Sequence, residues 1–211
     1  MNLMRSTLRA GLLVSLALSF APIVCSPAMA KDKEGRAGSW KSGAQGAPDL
    51  NACKKRVQEH PDDAEAQNDL GWAWRQNGDL KSAESCLRES IKLNPNLGYS
   101  HSNLSVVLLD GGQKAEALTE AQKAVALDAK QAIYQAVLGN ALSANGDAKG
   151  AINAYKAALA IRPDYENAMY NLGRVLDQDG QQNEAKAVLS QALALDPGDD
   201  RVVKLLDQLM K

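Results

Sequence analysis

The stretch AIYQAVLGNALSANGDAKGAINAYKAALAIRPDY, residues 132–165, decides the fold because its spacing recurs on both sides of it. Leu138 returns as Leu70, Leu104 and Leu172, Gly146 as Gly78, Gly112 and Gly180, and Ala151 as Ala83, Ala117 and Ala185. Each step is 34 residues, with no insertion or deletion, and the units open at Ala64, Gly98, Ala132 and Glu166. A period of that length marks a solenoid: one unit cannot bury its own apolar face, so stacked neighbours supply the core. Such arrays present extended surfaces that bind rather than catalyse.

Within each unit, two stretches of helical periodicity are separated by the recurring glycine. Gly78, Gly112, Gly146 and Gly180 are expected to end the first helix in a left-handed conformation that a Cβ would penalise. Asp79 and Asp147 directly follow two of them and are placed to cap the second helix. Pro95, Pro163 and Pro197 stop that helix, while Ala83 and its equivalents let the partner helix approach closely. Pro48 to His60 falls in phase with a second helix and ends at Pro61. Asp200 to Lys211 opens a fifth unit that stops after one helix, with Val202, Val203, Leu205, Leu206 and Leu209 apolar and Arg201, Lys204, Asp207 and Lys211 between them. Both ends read as capped.

The residues at fixed positions carry a family resemblance. Leu138, Gly139, Leu142, Ala151, Tyr155, Ala158 and Pro163 match Leu70, Gly71, Trp74, Ala83, Leu87, Ser90 and Pro95, and again Leu172, Gly173, Leu176, Ala185, Leu189, Ala192 and Pro197. That spacing resembles the tetratricopeptide repeat. The second unit departs most, with Leu104, Ser105, Leu108, Ala117, Ala121, Ala124 and Ala129 in place of the proline. Gln67, His101, Gln135 and Met169 replace the family's leading tryptophan. The resemblance covers residues 49–211 and implies an all-α, right-handed solenoid. Its parts are a partial amino-terminal repeat helix at 49–63, four helix-turn-helix repeats at 64–97, 98–131, 132–165 and 166–199, and a capping helix at 200–211.

Ahead of the array, Arg5 and Arg9 precede an apolar run from Leu12 to Val24 and then Pro27-Ala28-Met29-Ala30. This predicts a secretory signal peptide over residues 1–30, cleaved after Ala30. Pro22 and Pro27 interrupt the run short of the about 20 apolar residues of a membrane anchor. Cys25 follows Val24, where bacterial lipoprotein signals carry a small residue. The expectation is a chain exported to a bacterial periplasm, with lipid-anchored or signal-anchored forms as alternatives. Residues 31–48, rich in Gly, Ser, Ala and charge, read as a disordered tether that includes Trp40. Loss of Arg5 and Arg9 with the leader changes the chain from 24 basic and 25 acidic residues to 22 and 25. That acidic balance argues against nucleic acid, and Lys54-Lys55-Arg56 reads as a solvated helix face. In an oxidising compartment, Cys53 and Cys86, on the second helices of neighbouring units, are disulfide candidates.

No catalytic constellation emerges. His60 and His101 have no cysteine or carboxylate at metal-ligand spacing. Gly98-Tyr99-Ser100-His101-Ser102 lacks the second glycine and the preceding strand of a nucleophile elbow. Beside Asp177-Gln178-Asp179-Gly180, Val175 and Lys186 stand where a calcium loop needs carboxylates. Neither enzyme activity, cofactor, metal nor small-molecule substrate is expected.

The resemblance directs attention to a concave groove lined by the first helix of each unit. Asn68, Trp72 and Arg75 of the first unit, Tyr99 and Asn103 of the second, Asn140 of the third, and Tyr170, Asn171 and Arg174 of the fourth form the candidate partner site. A carboxamide both donates and accepts, so the row Asn68, Asn103, Asn140 and Asn171 suits an extended peptide backbone. Trp, Tyr and Arg are the side chains that most often anchor partners, whereas Trp74 falls at a core position. Asn68, Trp72, Ile133 and Val137 stand where family members that clamp an acidic chaperone tail carry basic side chains, which excludes that ligand. The reading is a non-catalytic periplasmic adaptor that binds a protein or peptide within an envelope assembly. Exported members of the family assist pilus assembly or secretion, envelope division or cytochrome maturation. The competing reading is a structural or self-associating module with an empty groove.

Overall fold

The computed structural model describes residues 49–210. The leader with Cys25, the tether with Trp40, and Lys211 lie outside the described residues. Ten helices follow in order: α1 (Leu50–Glu59), α2 (Ala64–Gln76), α3 (Leu80–Leu93), α4 (Gly98–Asp110), α5 (Lys114–Leu127), α6 (Ala132–Ala144), α7 (Ala148–Ile161), α8 (Glu166–Gln178), α9 (Gln182–Leu195) and α10 (Asp200–Leu209). All regular structure among the described residues is helical, and no described helix is long and apolar enough to cross a membrane. The array is an all-α solenoid of helix pairs.

Glycine sets the turn inside each pair. Gly78, Gly112, Gly146 and Gly180 have φ of 81°, 78°, 83° and 80°. That geometry lets the next residue close back over the helix end: Asp79 N–H donates to the Trp74 carbonyl at 3.0 Å and Gln113 N–H to the Leu108 carbonyl at 2.8 Å. Two otherwise orphaned carbonyls are thereby satisfied. Asp79 and Asp147 cap α3 and α7 by accepting from the N–H groups of Ser82 at 3.0 Å and Gly150 at 2.8 Å.

Contacts run between the two helices of a pair, between each second helix and the next first helix, and between successive first helices. Second helices do not reach one another, so α2, α4, α6, α8 and α10 form one side of the array. This arrangement corrects the expected Cys53–Cys86 staple. The two residues lie on α1 and α3, where no Cα of one helix comes within 8 Å of a Cα of the other. A disulfide needs about 7 Å or less. With α2 packed against both helices, no bond joins the thiols, and burial pushes the Cys86 thiol above its ordinary pKa.

Inside each pair, the approach of the helices is a trade of volume between two positions. A Cβ on Gly71 would sit 2.7 Å from Leu87, one on Gly139 2.6 Å from the Tyr155 ring, and one on Gly173 2.5 Å from Leu189. The second pair solves the same problem in reverse: Ser105 replaces the glycine and Ala121, fully buried, replaces the large partner. The Ser105 hydroxyl donates to the Ala117 carbonyl at 2.8 Å, so its burial leaves no polar group unpaired.

Buried polar groups concentrate around α4. Ser90 donates to the Ala64 carbonyl at 2.6 Å and lies 2.8 Å from Ser100, whose hydroxyl is then the donor to Ser90. His101 and Glu120 are both buried, with His101 Nδ1 2.6 Å from Glu120 Oε2 and His101 Nε2 3.0 Å from the Pro95 carbonyl oxygen. Glu120 Oε1 also accepts from Lys123 Nζ at 2.8 Å. The basic triplet on α1 is not one solvated face. Arg56 clamps α1 to α2 through Asp63 and Asp69, each at 2.7 Å, and Lys54 lies 4.3 Å over the Trp74 ring. Lys55 alone of the three is exposed, with Nζ 3.8 Å from Glu59 Oε1 on the same helix.

Candidate partner-binding groove

The four asparagines form two ties, not an open row. Asn103 on α4 donates to Asn68 Oδ1 on α2 at 2.9 Å, and both side chains are buried. Asn171 on α8 donates to Asn140 Oδ1 on α6 at 3.2 Å, and Asn140 Oδ1 also accepts from the Tyr155 hydroxyl at 2.7 Å. An amide has more capacity than this uses. Asn140 Nδ2 and Asn171 Oδ1 engage no described residue, and both side chains are only half-buried. Between the two ties the wall is apolar, with Tyr99, Val106 and Leu109 packed against buried Ile133 and Val137.

At the α2 end, Trp72 is buried and Arg75 stacks 4.6 Å from its ring centroid while donating to Asp110 Oδ2 at 2.6 Å. Trp74, by contrast, is half-buried against the cluster that holds Leu87, Leu104 and Leu108. Trp72 Nε1 and the Ser102 hydroxyl are buried with no hydrogen-bond partner among the described residues. Burial, with Glu65 and Asp69 nearby, drives the Tyr99 phenol far above its ordinary pKa and keeps it neutral. Burial likewise raises the Asp69 carboxyl, an effect Arg56 only partly offsets. Cations at this end are therefore committed to carboxylates of the array.

The α8 end differs. Tyr170 and Asn171 are half-buried and Arg174 is exposed. Tyr170 and Arg174 face Arg201, Lys204 and Leu205 of α10 across a depression of about 410 Å³ that Asp177 also lines. Arg201 lies 4.9 Å from the Tyr170 ring centroid and is anchored by Asp199 at 2.7 Å and Asn167 at 3.2 Å. The polar residues of α10 were assigned from the sequence to a closed outer end, yet Arg201, Lys204 and Leu205 continue the groove as a fifth wall. The missing signal was the period itself: adding 34 to Asn167, Tyr170 and Asn171 gives these three positions. Among the described residues, no group of three or more His, Cys, Asp or Glu is arranged to hold a metal ion.

Comparison with known proteins agrees with the repeat fold. Tetratricopeptide-repeat family models match residues 64–97 and 142–209. Among solved structures, a thermophilic TPR protein of Thermus thermophilus superposes with a TM-score of 0.69 at 21% identity, over 77% of this chain and 89% of that one. Pseudomonas aeruginosa pilF gives 0.66 at 24% identity, over 71% and 68% of the two chains. YrrB, described as a TPR protein with an unusual peptide-binding site, gives 0.60 at 17% identity, over 77% and 92%. The BBSome complex member bbs-4 of Caenorhabditis elegans is 34% identical over 83 residues, 39% of this chain but only 18% of that protein. Tetratricopeptide repeats are thus detected in the chain directly, and its solved neighbours share the solenoid.

Proposed function

We propose that the chain is a non-catalytic adaptor that holds an extended segment of a partner protein in the groove formed by α2, α4, α6, α8 and α10. Tetratricopeptide repeats mediate protein–protein interaction, and one observation carries the reading further. Side by side on the wall, Asn140 offers an uncommitted amide N–H and Asn171 an uncommitted amide oxygen. A peptide unit presents the complementary carbonyl and N–H. The neighbouring apolar stretch of Val106, Ile133 and Val137 accepts alternate side chains.

A photo-crosslinking residue at Tyr170 is expected to capture a reproducible partner in the native host, whereas one at exposed Asn153 on α7 captures none. Adducts equal at both sites, or only between copies of this chain, would overturn the adaptor reading in favour of a self-associating module. Arg5, Arg9, the Leu12 to Val24 run and Ala28-Met29-Ala30 support export to a periplasm, within an envelope assembly. Mass spectrometry of the mature protein is then expected to find Lys31 at the amino terminus; a retained leader would refute it.

A further inference from the structure

We infer that α8 and α10 form an anion-accepting subsite at the end of this groove, which takes acidic side chains of the bound segment. The inference rests on the groove being the binding surface and adds the chemistry of its occupant. Three cations line the depression, Arg174, Arg201 and Lys204, against one carboxylate, Asp177. Asp199 compensates Arg201, holding its guanidinium at 2.7 Å and so fixing its direction. Neither Arg174 nor Lys204 has a carboxylate within 4.0 Å among the described residues. Both are exposed. At the α2 end the pattern is opposite: Arg75 on the wall is taken by Asp110, and Arg56 of the adjoining α1 by Asp63 and Asp69.

Guanidinium and ammonium groups that face a cleft without a carboxylate of their own recognise carboxylates by charge-assisted hydrogen bonds, with Arg174 able to bind one in bidentate fashion. Tyr170 and Leu205 flank them with apolar surface that suits the methylenes of a glutamate. The subsite lies one helix beyond Asn140 and Asn171. A segment held by those amides through its backbone therefore presents its next acidic residues to α10.

The test is selection from a random twelve-residue phage library on the purified chain, followed by fluorescence anisotropy of the enriched peptides as labelled, carboxy-terminally amidated synthetic forms. The expected result is enrichment of Asp or Glu and binding weakened roughly tenfold by the pair Arg174→Gln and Lys204→Gln, with a reduced dependence on salt. Charge reversal, Arg174→Glu with Lys204→Glu, is expected to shift the selected sequences towards Lys and Arg. Unchanged melting of the variants confirms that their fold is intact. Peptides that lose binding on amidation would show that a free terminal carboxylate, not a side chain, occupies the subsite, and would overturn the assignment. If the peptides crosslink to Tyr170 but show no acidic preference and bind the Gln variants equally, the subsite falls and the groove stands. Selection of nothing that reaches Tyr170 overturns both.

Discussion

Replacing Glu120 with alanine is expected to destabilise the chain by about 3–5 kcal/mol, because it breaks a buried charged cluster and leaves its partner unpaired. Glu120 and His101 are almost fully buried and 2.6 Å apart. The Pro95 carbonyl oxygen can only accept, so the Nε2 facing it carries a hydrogen, and the proton between Nδ1 and Glu120 belongs to the pair. Without Glu120, the buried imidazole Nδ1 loses its hydrogen-bond partner and Lys123 loses its anchor. His101→Ala with Glu120→Ala is expected to cost less than the sum of the single changes, since the double variant removes both members of the buried pair and strands neither against the other. Urea midpoints followed by circular dichroism measure this; additive losses would show that the two residues act independently.

The same cluster sets an acid dependence. Burial alone pulls the Glu120 carboxyl up, but hydrogen bonds from His101 and Lys123 outweigh it and hold the group below its ordinary value. Its contribution is therefore complete above the usual glutamate range, about 4.3, and is lost as pH falls through the lower folded value. The native chain is expected to lose stability across that window more steeply than the Glu120→Ala variant. Identical slopes would contradict the assignment.

The repeat was legible because period and turn chemistry are local properties. A glycine at a fixed offset announces a left-handed residue whatever surrounds it, and all four glycines adopt one. The groove was legible as a set of positions but not as a set of bonds. Nothing in the spacing of Asn68 and Asn103, or of Asn140 and Asn171, tells whether their amides point to a ligand or to each other. That depends on how closely successive first helices approach. The Glu120 partner of His101 was hidden for a similar reason: the pairing crosses from α4 to α5 between residues 19 apart, outside any metal-ligand spacing. Cys53 and Cys86 misled because nearly equivalent positions on the second helices of neighbouring units look adjacent in the repeat, yet α2 packs against both helices that carry them and those helices do not touch.

Removing the Tyr155 ring should have an effect of similar size to the loss of Glu120, about 3–5 kcal/mol for Tyr155→Ala, because the ring is completely buried and the site cannot collapse onto a glycine. Three ring atoms lie 2.6, 2.8 and 2.9 Å from where a Cβ on Gly139 would be. Gly139→Ser on its own overpacks the same contact and is expected to cost about 1–3 kcal/mol. The two changes together recreate the pairing of Ser105 with Ala121 that the second repeat already uses, so the double variant should be more stable than the sum of the single losses predicts. Strict additivity would mean that these positions do not exchange volume. Tyr155→Phe separates packing from function: the ring stays, and only the hydroxyl bond to Asn140 Oδ1 is lost, at about 1 kcal/mol. Since Asn140 is then held by Asn171 alone, its carboxamide can turn in the groove. Peptide affinity should fall more in Tyr155→Phe than its small loss of stability accounts for, which links the core of the third repeat to the surface proposed to bind the partner.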